Sequence, residues 1–130
     1  MIVVDASVLA PVLAADDAQG DRFRTRLRGH KLAAPVLVDL EVMSVLRHAL
    51  LAGKLDQRRA ALALKDLVDL PIHRAVHLPL LPRAWALRGN LTPYDAAYVA
   101  LAESLGAVLV TADARLARAS GPQCPIEVMS

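Results

Sequence analysis

Residues 91–116, LTPYDAAYVALAESLGAVLVTADARL, decide the fold. Thr92-Pro93-Tyr94-Asp95 reads as a helix start. Thr92 can cap, Pro93 loses nothing at a first helical position that needs no N–H, and Asp95 stands where a capping box places its acid. Ala96, Val99, Ala100, Ala102 and Leu105 then repeat at helical spacing, and Gly106 supplies the stop. Ala107-Val108-Leu109-Val110 is short and wholly apolar, the pattern of a strand covered on both faces of a parallel sheet. Thr111-Ala112-Asp113 breaks it before a second helical run, ARLARA. Two successive helices thus each open with a carboxylate. One of these lies just past the carboxyl end of a buried strand, where open α/β sheets keep their chemistry.

The same pattern extends outward to the rest of the chain. Met1-Ile2-Val3-Val4 predicts a strand broken by Asp5-Ala6-Ser7, and Val8–Ala15 a helix with Pro11 tolerated in its first turn. Asp16-Asp17 opens a basic helix over Gln19–Gly29. Phe23 and Leu27 form its inward stripe, with Arg22/Arg26 and Arg24/Arg28 on either side. A strand over His30–Ala34 ends at Pro35, and a long helix over Val36–Ala52 stops at Gly53. On a helical wheel Val38, Val42, Val45, Leu46 and Ala49 share one arc, with Glu41, Ser44 and His48 along its edge. Asp39 falls inside that arc, close enough to the helix start to serve as a cap. A further helix covers Asp56–Leu70, a strand Pro71–Val76, a short helix Pro79–Arg88 and a last strand Pro125–Met129. This alternation predicts one α/β domain over residues 1–130, with a central parallel sheet and helices on both faces.

Composition narrows the class. Apolar residues make up 55% of the 130 and aromatics only 3%, so Leu, Val and Ala must build the core and the apolar surplus points to a partner. No apolar run is long enough to cross a bilayer, and Asp5 interrupts the N-terminal one before it could serve as a signal peptide. With Cys124 alone there is no disulfide framework and no thiolate cluster, so a reducing, cytoplasmic setting is expected. A net charge of +2 neither demands nor repels nucleic acid. The absence of GxGxxG and GxxxxGK[ST] loops argues against nucleotide-binding classes.

The acids are the chemical candidates. A strand order of 3-2-1-4-5 would make the first and fourth strands neighbours at the topological switch point and bring Asp5 beside Asp113. Each acid also has a plain role: Asp5 and Asp113 as N-caps, Asp95 in a capping box, Glu41 as a solvated helix residue. Carboxylates gathered in one crevice repel one another unless cations are bound, and hard oxygens in that number suit Mg²⁺ or Mn²⁺ rather than zinc. Ser7 has no His partner to make it a nucleophile, so its hydroxyl, like that of Thr111, is expected to orient a ligand or its water from behind. His73 and His77 have a metal-compatible spacing only on a helix, whereas their segment reads as strand. Arg22, Arg24, Arg26 and Arg28 offer a basic face either for RNA phosphate or merely for solvent.

MIVVDAS, LEVMSVLR, LTPYDAAYVALAESLGAVLVTAD and ARLARA together resemble the PIN-domain family, and within it the VapC-type toxins of bacterial type II toxin–antitoxin systems. The similarity runs nearly end to end. It implies a PIN-like three-layer fold and a Mg²⁺- or Mn²⁺-dependent endoribonuclease, with the metal-binding positions at Asp5, Glu41, Asp95 and Asp113. It selects Glu41 over Asp39, which the wheel leaves open. It also implies a VapB-type antitoxin that blocks the crevice, a toxin homodimer and a toxin–antitoxin hetero-oligomer. One departure stands out: many relatives carry Asn where this chain has Ser44, which keeps a hydrogen-bonding group but has a shorter reach. Two other readings are a non-catalytic RNA- or protein-binding module and a metal-dependent phosphatase of the haloacid-dehalogenase type. The presence of all four acids weighs against the first. The second wants an Asp where Ser7 stands.

Overall fold

A computed structural model describes residues 1–130. Five short strands form one sheet: β1 (Ile2–Val4), β2 (Leu32–Pro35), β3 (Ile72–Ala75), β4 (Val108–Thr111) and β5 (Ile126–Val128). Every pairing is parallel and the order is β3-β2-β1-β4-β5, as the sequence predicts. β1 lies at the centre, with Val3 opposite Ala33 on one side and Leu109 on the other. Ile2, Val3 and Val4 are at most 1% exposed. Burial on both faces of the sheet is what a strand with no polar residue requires, and each such side chain contributes roughly 1.5–3 kcal/mol.

The helices are α1 (Ala6–Ala14), α2 (Ala18–Leu27), α3 (Val38–Leu51), α4 (Gln57–Asp69), α5 (Leu81–Ala86), α6 (Pro93–Leu105) and α7 (Ala114–Arg118). Helix α1 packs on α2, α3 and α4, while α6 packs on α5 and against β1, β2 and β4. Right-handed crossovers in this strand order put the first group on one face of the sheet and the second on the other. No helix is long and apolar enough to cross a membrane.

Local chemistry set most boundaries, and tertiary packing moved the others. Helix α1 begins at Ala6 rather than Val8 because the Asp5 carboxylate accepts from the Ser7 N–H and starts the helix early. Pro11 therefore sits in its second turn. Pro79 and Pro82 split the segment expected as one helix into a 3-10 turn (Leu78–Leu80) and α5, since each proline removes a backbone donor. On α3 the buried stripe is Val38, Val42 and Leu46. Val45, read as core from the wheel, is 44% exposed and instead borders a hollow against Ala10 and Pro11 of α1. Asp39 is not a cap: it pairs with Arg74 of β3 at 2.9 Å.

Candidate metal and phosphodiester site

Three of the four acids follow directly from carboxyl ends of adjacent strands. Asp5 follows β1, Glu41 lies in the first turn of α3 just after β2, and Asp113 follows β4. Asp95 arrives by another route, in the first turn of α6, whose start is fixed by Thr92 and Pro93. The Asp95 N–H donates to Thr92 Oγ1 at 3.2 Å, so Thr92 is the cap and the Asp95 carboxylate is not needed for that task.

Asp5 is the most enclosed of the four, at 9% exposure. Its Oδ1 accepts from Ser7 N at 3.1 Å and Ser7 Oγ at 2.5 Å, and its Oδ2 accepts from Thr111 Oγ1 at 2.5 Å. The same hydroxyls accept in turn: Ser7 Oγ from Ala112 N and Thr111 Oγ1 from Asp113 N. Ser7 and Thr111 thus tie β1 to the β4–α7 turn and hold both oxygens of Asp5. Burial nevertheless raises the Asp5 pKa above the ordinary carboxyl value, with the hydrogen bonds pulling the other way.

Glu41 accepts from the phenol of Tyr98 at 2.5 Å. Its pKa is raised, first by burial and then by the negative fields of Asp5 and Asp95. Asp95 is raised in the same sense, by burial and by the field of Asp113. Asp113 differs. Its Oδ1 caps α7 through Arg115 N at 2.9 Å, and the Arg115 guanidinium grips both carboxylate oxygens at 3.2 and 3.0 Å. That pairing lowers its pKa. A cleft of about 270 Å³ opens beside Asp95, Asp113, Arg115 and Thr92.

The four acids influence one another in pairs: the charges of Asp5 and Asp95 act on Glu41, and that of Asp113 on Asp95. They do not form the ready cage that their number suggests: no group of three or more carboxylate, thiol or imidazole side chains stands close enough to hold an ion. The reason lies in the partners just described. Asp113 is folded onto Arg115, Glu41 onto Tyr98, and Asp5 onto two hydroxyls. The donor set is still that of a hard divalent cation, with all donors oxygen and three of the four acids raised in pKa chiefly by burial.

The remaining candidates lie apart from these acids. Ser44 is exposed and its hydroxyl bonds to none of the four acids; only its carbonyl is engaged, by His48. Along α2, Arg22 donates to the Ser130 carbonyl, Arg24 to the carbonyls of Val12 and Ala15 and to Asp21, and Arg26 makes a two-point pair with Glu127 of β5. Arg28 alone of the four is exposed and unbonded. Two residues were missed in the sequence. Tyr98 follows Asp95 by three positions and so shares its helix face, a signal that was available. Arg115 follows Asp113 by two, and nothing in its spacing distinguishes it from a surface arginine.

Residues 2–122 match the family model described as PIN domain. Ribonuclease VapC12 of Mycobacterium tuberculosis is 36% identical over 130 residues, covering 100% of both chains. Among solved structures, Mycobacterium tuberculosis VapC20, described as a sarcin-ricin loop cleaving toxin, superposes with a TM-score of 0.71 at 17% identity, covering 91% of this chain and 94% of that one. VapBC2 from Rickettsia felis, solved bound to a DNA fragment from its promoter, gives a TM-score of 0.67 at 14% identity over 100% of both chains.

Proposed function

The chain belongs to the PIN-domain family, among its VapC-type ribonuclease toxins, and from that premise we propose that it cuts RNA internally with Mg²⁺ or Mn²⁺ held by Asp5, Glu41, Asp95 and Asp113. The observation that carries this reading is the placement of four acids from four separate segments at one end of the sheet. Asp5, Glu41 and Asp113 follow adjacent strands, Asp95 and Asp113 border one cleft, and Tyr98 of the Asp95 helix bonds Glu41. When bound, a divalent cation supplies Lewis acidity, offsetting negative charge that builds on the phosphate and acidifying a water. Ser7 and Thr111 keep Asp5 aimed, and their hydrogen bonds oppose the rise that burial imposes on its pKa. Ser7 is not needed as a nucleophile in this scheme, and its hydroxyl serves to orient Asp5 and the β4–α7 turn. Arg115, paired with Asp113 and 82% exposed at its side chain, can exchange that pairing for an RNA phosphate. Arg28 offers a second, more remote phosphate contact.

The test is cleavage of a pool of structured RNAs by the purified protein with and without Mn²⁺, alongside Asp5→Asn. Cleavage is expected only with the cation and only with Asp5 intact. Cleavage indifferent to a chelator or to that substitution would defeat the reading.

Protein partners belong to the same proposal. Leu40, Met43, Leu50, Leu64 and Val68 leave an apolar surface along α3 and α4, with a hollow of about 280 Å³ bordered by Met43, Leu50 and Leu64. We assign it to a VapB-type antitoxin. A second strip of Leu78, Leu81, Trp85 and Tyr94 flanks the start of α6 and suits a second copy of the toxin in a homodimer.

A further inference from the structure

Tyr98 occupies an unusual place. It is 2% exposed, so its ring belongs to the core, while its hydroxyl reaches the edge of the acidic crevice. A buried phenol must find a partner, and here the partner is Oε1 of Glu41, 57 residues away in the chain and on another helix. The two members of this bond are unequal in freedom. Tyr98 is fixed by packing in the middle of α6, where Ala96, Ala97, Val99 and Ala100 are buried around it in sequence. Glu41 is only half-buried and has three rotatable bonds between its backbone and its carboxylate. Leu37, at the head of α3, offers no side-chain cap that could hold the first turn. Asp95, three residues before Tyr98, lies on the same face of α6, so one helix both supplies an acid and restrains the acid opposite.

We infer that Tyr98 is a positioning residue: its hydroxyl holds one oxygen of Glu41 and thereby aims the carboxylate toward Asp5 and Asp95, leaving the second oxygen for a divalent cation. The inference rests on the metal-dependent reading above. Removing the hydroxyl while keeping the ring leaves the core filled and frees Glu41 to point into solvent. A group that orients a metal ligand is typically worth about tenfold to a hundredfold in metal affinity or activity.

The experiment is Mn²⁺ titration by calorimetry of the full chain and of Tyr98→Phe, Glu41→Ala and the double variant, with Tm measured for each. RNA binding in the presence of a chelator serves as a further control. Tyr98→Phe is expected to weaken Mn²⁺ binding about tenfold or more with unaltered RNA binding in the chelator, and to weaken it no further once Glu41 is Ala. Equal Mn²⁺ affinity in the parent and Tyr98→Phe would overturn the inference while leaving the metal site itself intact. So would a loss that adds in full to that of Glu41→Ala, since Tyr98 would then act through the fold. A parent that takes up no Mn²⁺ at all would overturn both readings together.

Discussion

Asp5 holds the sharpest conflict in the molecule, a carboxyl group 9% exposed whose burial raises its pKa while two hydroxyls and a backbone N–H pull the other way. Asp5→Asn keeps the shape and removes the charge. It is expected to leave Tm at or above the parent value in cation-free buffer near neutrality, while lowering RNA cleavage by about a hundredfold or more. Loss of Tm together with activity would mean that the residue is structural. The pH dependence follows from the same groups. Asp5, Glu41 and Asp95 all have raised folded-state pKa values, chiefly from burial. Their contribution to stability is therefore complete below the ordinary carboxyl value of about 4 and is lost as the pH climbs through their folded values. A divalent cation binds the ionised forms and restores what was lost. Thermal unfolding with saturating Mn²⁺ should show a Tm gain of several degrees near neutrality that shrinks toward pH 5. A gain independent of pH would place the cation elsewhere.

Elements account for what could be read in the sequence and what could not. The helix starts at Asp17, Asp56, Thr92 and Asp113 each follow from a side chain bonding to a backbone N–H two or three residues on, a local event visible in the letters. Gly106 closes α6 with φ +62°, and no side chain crowds it, so Gly106→Ala meets backbone strain alone. About 1 kcal/mol of stability should be lost in urea unfolding; a change near zero would show that the turn adapts. The strand order was legible because apolar strands alternating with helices leave few right-handed arrangements. The exposure of Val45 was not, because it depends on how closely α1 approaches α3. Neither was the reach of Tyr98 to Glu41, nor the folding of Asp113 onto Arg115, which are side-chain choices made after the backbone is set. The arginines of α2 make the same point. Arg24 spends its guanidinium on the C-terminal end of α1 and on Asp21, so Arg24→Ala should lower Tm without changing the salt dependence of RNA binding. Arg28→Ala should leave Tm alone and reduce the salt slope by about one. Equal slopes for Arg28→Ala and the parent would remove α2 from the RNA site.

At the scale of the whole molecule, the sheet acts as a device for convergence. Strands β1, β2 and β4 release their chains at one edge, and the long excursion from β3 through α5 returns to the same edge as α6. Residue 41 comes within electrostatic range of residues 5 and 95 this way, and residue 95 within range of residue 113, although no two are neighbours in sequence. The helices on either side seal the core and leave apolar strips on α3–α4 and around α5. In the proposed reading the four acids act on one kind of ligand as a unit. Calorimetric Mn²⁺ titration of the parent beside Asp5→Asn, Glu41→Gln, Asp95→Asn and Asp113→Asn near neutral pH decides whether they do. Every substitution should weaken binding of the cation, with folding retained in each. Parent-like affinity in any one of them would remove that residue from the site, and parent-like affinity in all four would contradict the account.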